Sequence, residues 1–410
     1  MRIPMREIRR GELRAPGRVF EFDTAGSYAA GDVVDVERFA TAVCLVRGNG
    51  AATAIRFFDV SGDSSIALAP LRDRECASSL ARPVEASGVF DASLTVVICT
   101  RDRREGLART LTSLSHQSDS HFDVLIIDNS RDGNVANCRD SFGDLDIRRC
   151  HEPAPGLSRA RNRALSEVHS EFVAWIDDDE VADRDWIAWI KRGFATPDRP
   201  DAVAGMILPA ELETDAQVNF ERYGGFNKGR GMDPVRLRAG TPSVTDPLYP
   251  LPNFGAGGNM AFRTEALRAI GGFDNRLGAG TLTYGGEETR ALCLLLERGS
   301  LILHWPQAVT WHHHRRTGGE LEKQFFGYSA GLTAFYMSLI LSSPKYTFRI
   351  LRCVLRGMKR IQASRRVGHP DGPPVDFPGN LLRAGRRGLY RGAWLYLREA
   401  ARQWRASPIR

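Results

Sequence analysis

Phe172-Val173-Ala174-Trp175-Ile176-Asp177-Asp178-Asp179-Glu180 sets an uninterrupted apolar run against a block of consecutive acids. The apolar part fits a strand buried on both faces of a parallel sheet, so the acids stand at its carboxyl end. Adjacent carboxylates repel one another unless a cation sits among them. Mg2+ or Mn2+ is the obvious candidate. Such hard ions prefer carboxylate oxygens and usually take one or two from the protein, with phosphate oxygens completing the shell. Taken alone, Asp-x-Asp is more often a solvated acidic turn.

The flanking sequence changes that balance. Leu94-Thr95-Val96-Val97-Ile98-Cys99 is strand-like and ends in Thr100-Arg101-Asp102-Arg103, followed by Leu107, Leu111 and Leu114 at helical spacing. Phe122 to Ile127 is a second strand ending in Asp128-Asn129-Ser130, and Asp146 to Cys150 is a shorter third. A helix over Gly156 to Leu165 then precedes the acid-tipped strand. Alternating strands and helices predict right-handed βαβ units and a mostly parallel, Rossmann-like sheet. Ligands of such sheets bind outside the carboxyl ends of the strands, where Asp102, Asp128, Asp177 and Asp179 converge.

From about Leu94 to Arg315 the chain resembles a family 2 glycosyltransferase with the GT-A fold. Val97 to Asp102 resembles the family's first strand and nucleotide loop, Ile126 to Ser130 the second, Gly156 to Leu165 the helix after the donor loop, and Asp177-Asp178-Asp179 the metal-binding acidic motif. The resemblance implies a nucleotide-sugar contacted by Thr100, Arg101, Asp102, Asp128, Arg161, Asn162 and Asp177. It implies a metal at Asp177 and Asp179. Gly257-Gly258-Asn259 resembles the segment lining the sugar pocket, and closely spaced glycines let backbone approach a ligand. Tyr284-Gly285-Gly286-Glu287-Glu288 resembles the Gly-Glu-Asp motif whose second acid is the general base. Glu288 falls at that position, one methylene longer than the usual Asp, and Arg290 replaces a further acid, so Glu287 and Glu288 both stand as candidates. In the tract Trp311-His312-His313-His314, His312 is favoured over His314 as a further metal ligand. What is implied is an inverting, metal-dependent transfer from a nucleotide-diphosphate sugar, UDP before dTDP, to a hydroxyl of a glycan or lipid-linked acceptor.

The rest of the chain frames this core. Residues 1–90 read as a small β-rich accessory domain, with Gly48-Asn49-Gly50 as a hairpin turn. Residues 91–322 form the glycosyltransferase domain and 323–410 a basic, amphipathic helical region. Of the net charge of +7, the stretch from Lys345 onward contributes sixteen Lys and Arg against three acids, which leaves the body acidic. Phe348, Leu351, Val354, Leu355, Met358 and Ile361 share one face of a helix there. That pattern suits an anionic membrane surface, so a cytoplasmic protein peripheral on the inner face of the membrane is expected. The uncharged run Gln324 to Pro344 is long enough to span a bilayer but too polar for a clear transmembrane assignment. The N-terminus lacks an apolar signal-peptide core. Seven scattered cysteines without Cys-x-x-Cys spacing argue for free thiols and against a zinc site.

Three other readings compete. A nucleotidyltransferase also places acids at strand ends, but the loop after Thr100 lacks the glycines of a phosphate loop. A nucleic-acid-binding protein could use the basic tail, against which the acidic body argues. A scaffold without catalysis is motivated by the departures at Glu288 and Arg290.

Overall fold

The computed structural model describes residues 6–406 except 30, 79–91, 134–141, 143–144, 229, 245, 249–255, 367–373 and 375. In chain order the N-terminal part comprises β1 (Arg6–Glu7), β2 (Gly17–Asp23), β3 (Val33–Asp35), β4 (Thr41–Gly48), β5 (Ala51–Asp59), β6 (Ser65–Ala67) and α1 (Leu68–Ser78). These short strands form a sheet of order β1-β5-β4-β2 and a separate β3-β6 pair. Asn49 and Gly50 adopt φ of 52° and 80°, the turn that lets Gly48 pair with Ala51. The expected boundary at residue 90 lies outside the described residues.

The central part runs β7 (Leu94–Thr100), α2 (Arg104–Ser115), β8 (Asp123–Asp128), β9 (Ile147–His151), α3 (Leu157–Glu167), β10 (Phe172–Ile176), β11 (Glu180–Ala182), α4 (Trp186–Phe194), β12 (Ala202–Pro209), α5 (Asp215–Arg222), β13 (Val235–Leu237), β14 (Asn259–Arg263), α6 (Thr264–Ala269), α7 (Glu287–Glu297) and β15 (Ile302–His312). The sheet order is β11-β15-β12-β14-β10-β7-β8-β9. Its β9-β8-β7-β10 run is parallel, as the βαβ pattern requires. The other half is mixed: β14 lies antiparallel between β10 and β12, and β12 pairs parallel with β15. Every residue of β10 is buried, because the sheet is covered on both sides. Leu107, Leu111, Trp186, Ile187 and Ile190 of α2 and α4 fill one face. Ala160, Ala164, Leu267, Leu292 and Leu296 of α3, α6 and α7 fill the other. Each large apolar side chain buried in these layers contributes about 1.5–3 kcal/mol.

Strand β15 runs unbroken from Ile302 through Pro306 to His312. Its register against β12 shifts between Ala204 and Met206, opposite His304 and Val309, so Pro306 sits in a bulge that asks for no ladder hydrogen bond. Between β12 and β14 lie α5 and β13.

The N-terminal part is fused to this sheet rather than set apart. Leu45 and Ala52 share a core with Met206, Leu208 and Val309, and Leu13 and Val43 share another with Leu212 and Val218. Arg47 makes a buried ion pair with Asp183.

C-terminal helices α8 (Gly318–Ser342), α9 (Lys345–Arg366) and α10 (Gly379–Ala406) complete the chain. The expected boundary at 322 falls inside α8. Thr317 caps α8, accepting from the Glu320 amide while Glu320 accepts from Thr317. By length and composition α8 could cross a membrane. Here it packs on the body and on α10. A Cβ at Gly388 would lie 2.3 Å from the Phe326 carbonyl oxygen, and one at Gly392 1.9 Å from that of Ala330, so only glycine permits this helix-to-helix approach. On α9, Tyr346, Ile350 and Cys353 are buried while Phe348, Leu351, Val354 and Leu355 face solvent. The predicted apolar stripe is therefore the exposed one; the side chains of Met358 and Ile361 lie outside those described.

Candidate active site

Strand β10 delivers the acids to the carboxyl edge of the sheet, and α2 fixes where they go. Gly106 brings the first turn of α2 against the acid loop: a Cβ there would stand 2.3 Å from the Asp178 carbonyl oxygen. One helical turn on, Thr110 Oγ1 donates to the Glu180 carbonyl at 2.7 Å. The Ala182 amide then donates to Ser113 Oγ, and Gln117 Nε2 to the Asp183 carbonyl. Gly106, Thr110 and Ser113 share one face of α2, and with Gln117 just past its end they clamp the acid segment.

The four acids separate into different roles. Asp178 is buried; it accepts from Thr100 Oγ1 at 2.7 Å and from Arg103 Nη1 at 3.0 Å. Thr100 is thus committed to the acid loop instead of being available to a nucleotide. Asp179 Oδ2 lies 2.8 Å from Arg103 and 3.6 Å from Arg315, and its Oδ1 lies 3.4 Å from His312 Nε2. Burial disfavours its charge, but His312, Arg103 and Arg315 outweigh that and hold the carboxyl below the usual range. Asp177 faces Arg161 Nη2 at 3.7 Å, and burial, only partly offset by that guanidinium, raises it to about 6. Glu180 is enclosed, and burial together with Asp177 pushes it well above the ordinary value.

Asp179 and His312 converge as expected of metal ligands, but Asp177 is drawn towards Arg161. Among the described residues no group of three or more His, Cys, Asp or Glu gathers as a metal cluster. A carboxylate and an imidazole suit a divalent cation that keeps most of its shell for phosphate oxygens and water. Beside them a cavity of about 660 Å³ is lined by Arg103, Arg104, Arg109, Arg315, His313 and the exposed Asp102. Asp102 sits at φ 58° with Arg101 beside it at the rim.

Arg161 ties the acid loop to the other chemical stretch. Fully buried, it donates to Glu287 Oε1 at 3.0 Å and to the Gly257 carbonyl at 3.0 Å. Glu287 is raised to about 8 by burial and then by Glu288, with Arg161 offsetting only part. Glu288 is half-buried, and a Cβ at Gly257 would come within 3.5 Å of its Cγ. At Gly258 a Cβ would stand 2.0 Å from Glu180 Oε1 and 2.9 Å from Asp177 Oδ2. These glycines make room for the acids themselves. Behind Glu287, Gly286 is left-handed at φ 94°, and a Cβ on it would meet the Gly331 carbonyl of α8 at 2.5 Å. From α10, Tyr396 donates to Asp274, and Glu399 accepts from the Leu282 amide. The C-terminal helices thus hold the loop that carries the glutamates.

Two expected ligand-binding amides are engaged elsewhere. Asn259 is buried, accepting from Trp186 Nε1 and donating to the Met206 and Ala308 carbonyls. Asn162 donates to Phe273 and Asn275 and accepts from the Phe273 amide, holding that loop. Asp128, also buried, accepts from the Ser130 amide at the end of β8. Its neighbour Asn129 went unread in the sequence: it donates to the Glu152 and Ala154 carbonyls and accepts from the Gly156 amide, setting the entry to α3. An Asp-Asn-Ser strand end with a Pro-rich loop twenty residues on is its only trace in the sequence.

Residues 95–271 match the sequence model of Glycosyl transferase family 2. A pre-mycofactocin glycosyltransferase of Mycobacterium tuberculosis is 27% identical over 259 residues, 62% of this chain and 50% of that protein. A glucosyl-dolichyl phosphate glucuronosyltransferase of Haloferax volcanii is 25% identical over 233 residues, 53% of this chain and 68% of that one. The chain thus spans about half the length of the mycobacterial relative. A mannosyltransferase of Pyrobaculum calidifontis, solved with GDP-Man and Mn2+, aligns over 83% of this chain and 95% of its own at 17% identity and a TM-score of 0.47.

Proposed function

We propose, for a chain whose residues 95–271 match the sequence model of Glycosyl transferase family 2, an inverting glycosyltransferase that moves a sugar from a nucleotide-diphosphate sugar to a hydroxyl of a glycan or lipid-linked acceptor. The observation that carries this reading is the meeting of the Asp177–Glu180 loop, Arg161, Gly257-Gly258 and Glu287-Glu288 at one edge of the sheet.

Asp179 and His312 would hold Mn2+ or Mg2+, which supplies charge neutralisation for the departing diphosphate. Arg103 and Arg315, both within ion-pair reach of Asp179, are placed to meet phosphate oxygens as well. Asp102 and Arg101 stand at the rim for the nucleoside, and Asp128 lies at the neighbouring strand end. Of the two glutamates, Glu288 takes the role of general base: it is the more accessible, whereas Glu287 is enclosed against Arg161. Glu288 accepts the acceptor's hydroxyl proton as that oxygen attacks the anomeric carbon and the nucleoside diphosphate departs. One displacement inverts the centre without an enzyme nucleophile.

Both halves of the proposal have a direct test. Incubation with a panel of UDP-, dTDP- and GDP-sugars and Mn2+ or Mg2+ should release nucleoside diphosphate, with UDP the first expectation and dTDP the second. Release of pyrophosphate instead would mark a nucleotidyltransferase, and no turnover despite metal-dependent nucleotide binding would mark a scaffold.

The C-terminal region adds a location, peripheral on an anionic membrane. On α10, Tyr390, Trp394, Leu397 and Trp404 form one exposed stripe, opposite the buried Leu381, Ala384, Gly388, Leu395 and Tyr396. Arg398 lies over the Trp394 ring at 4.7 Å. Aromatic rings flanked by arginines suit the headgroup region of a bilayer.

A further inference from the structure

Tyr223, Tyr284 and Tyr328 are exposed beside the cleft, and the chemistry proposed above uses none of them. Tyr328 stands on α8, on the face that also carries Gln324, Gly327 and Gly331. A Cβ at Gly327 would lie 3.1 Å from Tyr284 Cβ, and one at Gly331 2.7 Å from the Gly285 carbonyl carbon. This face of α8 therefore lies against the loop that leads into Glu287 and Glu288. On its other side the Tyr328 ring is 6.4 Å from that of Phe220, which packs edge-on to His314 at 4.8 Å. Glu288, Arg315 and Asp179 all lie within electrostatic reach of the Tyr328 hydroxyl. Tyr328 thus stands between Glu288 and the Asp179 side of the cleft, where an attacking hydroxyl must arrive.

The chemistry of the patch selects its ligand. Lys228 Nζ lies 5.8 Å from the Tyr223 ring and 6.0 Å from the Tyr328 ring, and Gln324 Nε2 donates to the Tyr328 hydroxyl at 2.7 Å. Flat rings edged by an ammonium, an amide and phenol hydroxyls suit a ligand with an apolar face and a polar rim. A pyranose ring is such a ligand, since its C–H bonds form the face and its hydroxyls the rim. An alkyl chain would instead leave the polar edge facing methylenes. Tyr284 adds a separate sign: it is held at φ 66°, a left-handed conformation that bulky residues rarely adopt and that is retained chiefly where it serves a site.

We propose that Tyr328, with Tyr284 and Lys228 beside it, forms the acceptor subsite: a pyranose ring of the acceptor stacks on Tyr328 and brings one of its hydroxyls to Glu288. This deepens the glycosyltransferase reading and rests on it for the role of the bound sugar. It narrows the acceptor to one that presents a sugar ring. Tyr284 and Tyr328 both lie beyond residues 95–271, so most of the subsite is built outside the matched segment.

Saturation-transfer difference NMR on the full chain with UDP and Mn2+ reads contact with this face directly. The probes are the methyl pyranosides of glucose, galactose, mannose and glucuronic acid, with octyl glucoside beside them. Ring C–H protons of at least one methyl pyranoside should saturate. Tyr328→Ala should weaken that binding about tenfold, and Tyr328→Phe, which keeps the ring, should stay within a few-fold of the parent. No saturation of any methyl pyranoside, or equal binding in the parent and Tyr328→Ala, overturns the subsite, and saturation confined to the octyl chain assigns the face to lipid instead. Turnover separates the subsite from the reading beneath it. With a pyranoside that accepts sugar, Tyr328→Ala should raise the acceptor KM about tenfold and change kcat and the donor KM far less. An unchanged acceptor KM keeps the glycosyltransferase and removes the subsite. Pyranoside binding that is lost in Tyr328→Ala, in a protein that releases no nucleoside diphosphate, keeps a sugar site at Tyr328 and sinks the transferase reading.

Discussion

The two ends of the chain, both outside residues 95–271, support opposite sides of the same cleft by opposite means. The N-terminal part works through buried charge: Arg47 on Asp183 just beyond the acid loop, Arg10 on Glu221 behind the histidines. The C-terminal helices work through close backbone approach, with Gly331 of α8 against Gly286 and Gly388 and Gly392 of α10 against α8. Charge fixes orientation on the side of Asp179 and His312. Glycine contacts fix position on the side of Glu287 and Glu288, where a loop must be held without filling the space beside it. Among the described residues the C-terminal helices also carry an exposed apolar face, which suits a second partner.

The comparison breaks first at the chemical groups. Glu288→Gln should reduce transfer about 10²–10⁴-fold, read by nucleoside diphosphate release, while metal-dependent UDP binding stays near that of the parent. Full activity in this variant would return the base role to Glu287. Asp179→Asn should have the complementary effect, abolishing Mn2+ binding and with it metal-dependent transfer.

Structural supports come next. Arg47→Met leaves Asp183 enclosed without its partner and should cost about 3–5 kcal/mol in urea unfolding. Gly286→Ala forces a left-handed residue to carry a side chain against the Gly331 carbonyl. A loss of about 1–2 kcal/mol from the backbone conformation is the minimum expected, with turnover falling more than UDP affinity. If Arg47→Met changed turnover but not stability, the division of labour drawn above would be wrong.

Changes on the outer face should be invisible to folding. Replacing Tyr390, Trp394 and Trp404 together by Ser should abolish co-sedimentation with phosphatidylglycerol vesicles and leave the unfolding midpoint unchanged. Unaltered vesicle binding would remove the membrane from the account, and a shift from dimer to monomer on size exclusion would assign the face to a second copy.

A last effect is electrostatic. Glu287 is raised to about 8, so the folded state holds its proton where the unfolded chain has released it. Its contribution to stability is complete below the unfolded value and is lost as pH rises towards 8. Metal-free protein should therefore lose thermal stability between pH 6 and 8, and Glu287→Gln should flatten that decline.

Much of this was legible because it is periodic. The apolar runs ending in Asp128 and Asp177, and the leucines of α2 and α7, each declare a buried strand or face by spacing alone. What escaped reading depends on contacts across long separations. Nothing near Asn259 shows that its amide will be taken by Trp186, Met206 and Ala308. Thr100 looks like a loop hydroxyl until Asp178 is folded beside it. The N-terminal strands read as a separate unit because the cores they share with β12 and β15 are assembled from the far side of the sequence.

The antiparallel pairing of β10 with β14 sets Ile176 opposite Asn259. A ribosome must add about 80 residues after the acids before the strand carrying Asn259 exists, which takes on the order of 4–16 s at ordinary elongation speeds. During that interval the acids and Arg161 are already made, but the backbone that brings Gly258 against Glu180 is not. Until β14 is made, the flank of β10 that it covers has no strand to pair with.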